Sequence, residues 1–167
     1  MATEQAFPPS PIGAAELKTL PSGLLLKASA TGNYFEQSNR LFGPLFSYIS
    51  SHEIAMTTPV EVKIEGAAMF FWVAKSQRAK VAGSTGAVEV VEIPERWVAS
   101  LGARGSYSVQ NFSKTRDQLL DWLGRRKDVE AAAAPYPVYW NGPFTPGFLK
   151  RFEVHVPVRS VGRVQTH

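Results

Sequence analysis

The sequence predicts an α+β fold: a twisted, barrel-like antiparallel sheet built from two pseudo-symmetric halves, with one α-helix against each. Three observations predict it. A shift of 73 positions lays the chain on itself without a gap, Glu16 on Glu89, Pro21 on Pro94, Gly32 on Gly105 and Tyr34 on Tyr107. Each copy carries segments of alternating apolar and polar residues, the period of a half-buried strand. Each also carries one stretch of helical spacing, and Phe46 and Ile49 of the first fall on Leu119 and Trp122 of the second.

The elements follow in the same order in both copies. A short leading strand precedes Pro21 or Pro94, and strand-like runs then cover Gly23 to Ala30 and Arg96 to Ala103, each closed by a Gly-x-Tyr turn. The first helix is predicted over Ser38 to Ser51, with Leu41, Phe42, Leu45, Phe46 and Ile49 on its apolar face. Pro44, after Gly43, removes a backbone donor, which predicts a kink or a separate first turn. The second is predicted over Phe112 to Arg126, capped by Asn111 or Ser113, with Leu119, Trp122 and Leu123 facing inward.

A strand pair follows each helix. Ile54 to Ile64 places Ile54, Met56, Val60, Val62 and Ile64 on one face and Glu61 and Lys63 on the other, with Pro59 marking an edge or bulge. Ala68 to Ala74 is its apolar partner. Val138 to Trp140 and Lys150 to Val158 play the same parts in the second copy. There Phe152, Val154, Val156 and Val158 oppose Arg151, Glu153, His155 and Pro157. Gly83 to Gly86 reads as the joint between repeats of about 16–75 and 87–158. Residues 1–15 read as a flexible leader and 159–167 as a tail, leaving 16–158 as one domain.

Composition excludes several classes of protein. The 167 residues contain no cysteine, so disulfides, thiolate catalysis and cysteine zinc sites are ruled out, in keeping with an intracellular compartment, cytoplasmic or organellar, a plastid included. No apolar run approaches a membrane span. The leader lacks the basic and apolar regions of a secretory signal, so Asn111-Phe112-Ser113 is a glycosylation sequon by spelling only. A net charge of +4 is modest. Its one dense cluster, Arg125-Arg126-Lys127, reads as a helix end complementing the dipole rather than as a nucleic-acid contact.

Two motifs then carry a resemblance. Ile54-Ala55-Met56-Thr57-Thr58-Pro59-Val60 resembles the Met-Thr-x-Pro-Val signature that follows the first helix in the SOUL/heme-binding family. The stretch from Tyr139-Trp140-Asn141-Gly142-Pro143-Phe144-Thr145-Pro146 to Val154 resembles that family's C-terminal loop and final strand. The resemblance covers about Glu16 to Val158. It implies a distorted β-barrel flanked by two helices, related to the gyrase-inhibitor-like fold, and non-covalent binding of heme or another tetrapyrrole in a shallow apolar cleft. Carried onto this chain, it places Arg40, Leu41, Pro44, Leu45 and Tyr48 on one wall and Phe144, Phe148 and Lys150 on the other. Arg40 and Lys150 supply cations for the porphyrin carboxylates.

His52 is the one histidine near that cleft and the candidate axial ligand, though members of the family differ on whether a histidine binds iron. His155 lies on the last strand and His167 in the tail, and no spacing builds a metal cluster. No linear catalytic signature is present, which leans against an enzyme. The expected protein is a monomer, or a weak dimer, whose partner is a tetrapyrrole and not a nucleic acid. An enzyme, hydrolase-like, using the same cleft and a protein-interaction module remain the alternatives.

Overall fold

The computed structural model describes residues 4–141 and 145–162. In chain order these form β1 (Glu4–Gln5), β2 (Ala15–Leu20), β3 (Gly23–Ser29), α1 (Tyr34–Ser51), β4 (Thr57–Thr58), β5 (Val60–Lys63) and β6 (Ala68–Val73). Then come β7 (Glu89–Ile93), β8 (Arg96–Arg104), α2 (Val109–Gly124), β9 (Val129–Ala131), β10 (Tyr136–Tyr139) and β11 (Arg151–Ser160). Short 3-10 turns occupy Lys75–Lys80 and Gly147–Leu149.

The α+β expectation holds. One antiparallel sheet runs β2-β8-β11-β10-β5-β6-β3-β7, with β9 added beside β11, and curls into a half-barrel. The strand order reads the same from both ends in one respect that the sequence did not show. Leading strand β2 pairs with β8, and β7, which stands 73 positions on, pairs with β3, so each half is completed by the other's first strand. Pro21-Ser22 and Pro94-Glu95 make the two crossings. With two residues and a proline at each, the chain leaves its strand at once instead of forming a hairpin.

Both helices pack on one face of the sheet, α1 against β3 and β6, α2 against β8, β9 and β11. The larger core lies there, around Leu26, Leu41, Leu45, Phe71, Leu119, Phe152 and Val154. Helix α1 begins at Tyr34, four residues before the expected start, because the Asn33 side chain accepts the Phe35 amide as an N-cap. It also continues through Pro44. Gly43 has no Cβ to meet the proline ring, and buried Leu41 and Leu45 hold the turns on either side. Helix α2 is capped by Ser108, three and five residues before the two expected caps, and ends at Gly124. The basic trio follows that end, with Arg125 paired to Asp121 and Arg126 to Asp128 at the surface.

The second face of the sheet corrects two expectations. Residues 4–12 are a packed strap: β1 pairs with β4, Phe7 is buried and Ser10 is fully buried. Phe7 presents edges to Trp72 and Trp140, with Leu20, Val98 and Val138 completing a smaller core. Gly102 makes the crossing possible, since a Cβ there would stand 2.5 Å from the Pro11 carbonyl oxygen. The strap covers the supposedly polar face at β11, so Glu153 and His155 are buried instead of solvated, and Glu61 is buried against Trp72 and Arg96. The expected strand from Ile54 to Ile64 is also divided, into β4 and β5, at Pro59.

Candidate functional site

A cavity of about 940 Å³ opens between α1 and the segment that leads into β11. Phe35, Ser38, Asn39, Phe42 and Phe46 of α1 form one wall. Tyr107, Tyr139, Trp140, Asn141 and Lys150 form the other, and Met56, Val60 and Met69 the floor, with Gln5 of the strap at the margin. The cleft is apolar and aromatic. Lys150 is its one charged group among the described residues, and its ammonium sits 4.8 Å from the centroid of the Tyr107 ring. Phe42 and Phe46 stack at 5.6 Å on the rim, and Phe46 is 53% exposed.

Each wall is held from behind. The Tyr107 hydroxyl accepts the Asn141 amide at 2.9 Å and donates to the Arg151 carbonyl at 2.9 Å, tying the loop entrance to β11. The Tyr107 and Tyr139 rings stack at 4.0 Å. Trp140 donates its indole proton to Glu153 at 2.8 Å. Burial pushes the Tyr34 and Tyr107 phenols up to about 12 and Tyr139 higher still, so all three stay protonated at neutral pH.

The placement of the expected site residues is instructive. Lys150 lines the cleft, whereas Leu41, Leu45 and Tyr48 are buried on the stripe that faces the sheet. Arg40, at the surface, and Pro44 are absent from the cleft wall, and Phe148 projects 77% exposed beyond it. Phe144 lies outside the described residues, as does His167. The helical residues expected on the wall fall mainly on the stripe next to the one that lines this cavity. Residues 35, 38, 39, 42 and 46 run alongside the core stripe, and Phe42 and Phe46 were the signal, apolar residues at i, i+4 beyond what one sheet contact buries. His52 is the C-cap of α1; its Nδ1 lies 2.8 Å from the Tyr48 carbonyl oxygen and its ring stacks on Tyr48 at 4.3 Å. It does not line the cleft. Among the described residues no three histidines or carboxylates group as a metal site would need, and no helix is long and apolar enough to cross a membrane.

Behind Trp140 lies a buried polar cluster. Glu153 accepts from the Ser10 amide at 2.7 Å, Lys18 at 2.8 Å, Ser100 at 3.0 Å, Trp140, and His155 Nε2 at 2.7 Å. Burial alone would raise its carboxyl, but the His155 and Lys18 contacts overcome that and hold it well below the carboxylate range. Complete burial keeps His155 neutral, its pKa lowered despite Glu153, and its Nδ1 has no partner among the described residues. Both folded pKa values lie below their unfolded ones, so the native state binds fewer protons than the unfolded chain as pH falls. Urea midpoints are therefore expected to drop as pH falls below 6.5, through His155, and again below 4.5, through Glu153. A midpoint that rises from pH 7 to pH 5 would contradict this.

Three solved structures show the same architecture. EcmrR in a cryo-EM structure of its DNA complex gives a TM-score of 0.70 at 15% identity over 89% of this chain and 58% of that one, so this chain spans little more than half its length. The crystallised EcmrR C-terminal domain gives 0.69 at 16% identity, over 89% and 98% of the two chains. A hydrolase from Listeria innocua gives 0.56 at 12% identity, over 90% and 94%. At these identities the likeness is one of fold. A search of curated proteins finds no match. The model of the SOUL heme-binding protein family matches residues 10–157, nearly the whole chain, and the protein belongs to that family.

Proposed function

We propose that the cleft between α1 and β11 binds heme or a related tetrapyrrole without covalent attachment, so that the protein carries or buffers it. The observation that carries this reading is an aromatic, largely apolar cleft that holds, among the described residues, a single cation. The residues fit the macrocycle: a flat apolar face matches Phe42, Phe46 and Tyr107, and a propionate matches the Lys150 ammonium. The volume falls in the usual range for small-molecule sites. No histidine lines the cleft among the described residues, and the phenols there are held protonated. Met56 and Met69 supply only soft thioether donors, so the iron's redox chemistry is left with a weak protein ligand or none. Family membership supports tetrapyrrole binding in general. The absence of cysteine is in keeping with an intracellular location. A monomer suffices, since one chain supplies both walls. The matched strand order of the halves supports their origin by internal duplication.

The test is titration with hemin and with metal-free protoporphyrin, followed by absorbance and by quenching of Trp140 in the cleft wall. Both are expected to saturate at one per chain. Combining Phe46→Ala with Lys150→Glu should weaken both at least tenfold, about 1.4 kcal/mol. His52→Ala should leave affinity within about threefold, about 0.7 kcal/mol. Binding of hemin alone, with a tenfold loss on His52→Ala, would replace this reading with one centred on iron ligation.

A further inference from the structure

A second cavity, of about 540 Å³, opens where β5 and β10 part company. The two strands pair only at Val60 with Tyr139 and Glu61 with Val138. Beyond that point Pro137 of β10 and Pro135 just before the strand have no amide hydrogen for a ladder. The sheet therefore splits, and Val62 and Ile64 on one side and Tyr136 on the other become walls of a cavity instead of neighbours.

The two inner charged groups of this cavity, Glu61 and Arg96, are paired with each other. Arg96 donates from both terminal nitrogens to Glu61 at 2.9 Å, and Trp72 donates to the same carboxylate at 2.6 Å. Arg96 also donates to the Tyr136 hydroxyl at 3.0 Å. Neither of these two paired charges is free to select a charged ligand. Two donors remain without an acceptor among the described residues, the buried Arg96 Nε and the Tyr136 hydroxyl. Among the described residues Arg96 is the only hydrogen-bond partner of the Tyr136 hydroxyl, so the phenol's own proton has no acceptor. Burial and the nearby Glu61 carboxylate raise the Tyr136 pKa, which keeps that proton in place. Most of the remaining lining is apolar, Leu25, Phe70, Ile93 and Phe112 among it, while exposed Lys63 and Glu65, of opposite sign, and half-buried Arg116 also line it.

We propose that the gap between β5 and β10 is a second small-molecule site, taking an uncharged apolar molecule that accepts one hydrogen bond from Tyr136. It shares no lining residue with the tetrapyrrole cleft. The two sites differ in chemistry as well, one offering a cation to a carboxylate and this one a neutral donor.

Nile red, neutral and apolar with a carbonyl acceptor, is the probe. Its emission is expected to rise and shift to the blue with saturation at one site in the full chain. Tyr136→Phe should weaken it twofold to tenfold, the size of one lost hydrogen bond. Ala134→Trp, which fills the mouth from an exposed position, should weaken it at least tenfold with an unchanged melting temperature. The cleft variant Phe46→Ala with Lys150→Glu should leave it unaffected. Anilinonaphthalene sulfonate, an anion of similar apolar character, should bind less tightly. Absence of Nile red binding, equal affinity in Ala134→Trp, loss of binding in the cleft variant, or preference for the anion would each overturn the proposal.

Discussion

Replacing Glu153 with alanine is expected to cost about 3–5 kcal/mol of folding stability, the penalty for leaving buried partners of a charge without it. The side chain is fully buried and accepts hydrogen bonds from five groups, drawn from the strap, β2, β8, the residue after β10 and β11. Its removal leaves the Ser10 amide and the Trp140 indole without their acceptor in a buried site and takes the counter-ion from the partly exposed Lys18 ammonium. Glu153→Gln keeps the volume but not the charge, and should fall between the parent and the alanine variant because Lys18 loses its counter-ion. Urea unfolding at pH 7 measures both. A loss below about 1 kcal/mol for alanine would mean that the cluster is no more than a satisfied surface network. The acid sensitivity described above should shrink in the same variant, since the carboxyl that must take up a proton is gone.

Phe7→Ala should be nearly as damaging, at about 3–5 kcal/mol, the usual range for truncating a buried phenylalanine. The ring is 6% exposed, meets Trp72 and Trp140 at 5.9 and 5.4 Å, and carries the Lys18 ammonium 4.8 Å from its centroid. Cutting it back opens a cavity between two tryptophans, so tryptophan emission should shift red as water enters. Gly102→Ala tests the same strap by another route: the new Cβ collides with the backbone at Pro11, not with a flexible side chain. If Phe7→Ala unfolds at the parent's midpoint, residues 4–12 are a passive leader after all. If Gly102→Ala alone is destabilised, the close crossing matters and the aromatic anchor does not.

The same strap shows where sequence reasoning stopped. Alternation along β11 separated Phe152, Val154 and Val156 from Glu153 and His155 correctly, and the two sets do lie on opposite faces. What period 2 does not carry is whether the second face meets water. That depended on residues 4–12, whose Pro8, Pro9 and Pro11 break any periodic pattern and whose Phe7 looked like an isolated apolar residue. The expected helical residues lie one stripe away from the cavity wall for a related reason. Helical spacing marked Leu41, Phe42, Leu45 and Phe46 as one apolar face, yet only contact with β3 and β6 decides which part is core. Leu41 and Leu45 went to the sheet, leaving Phe42 and Phe46 for the cleft. Lys150, by contrast, lines the cavity as expected of its position, because the motif preceding β11 fixes where that strand starts.

Local physics, in short-range signals, determined the α+β class, the two helices, most of the strands and the boundary prolines. Periodicity, caps and turn residues act within a few positions, and a sequence displays such positions side by side. The 73-residue offset went further and indicated that the halves would share one sheet. Only the tertiary structure decided that the leading strands are exchanged between halves, that Glu61, Glu153 and His155 are buried, and which helical stripe lines the cleft. These rest on contacts between residues as far apart as Ser10 and Glu153. Such contacts are set by which faces remain to be covered once the local elements have formed, and no window along the chain contains both partners.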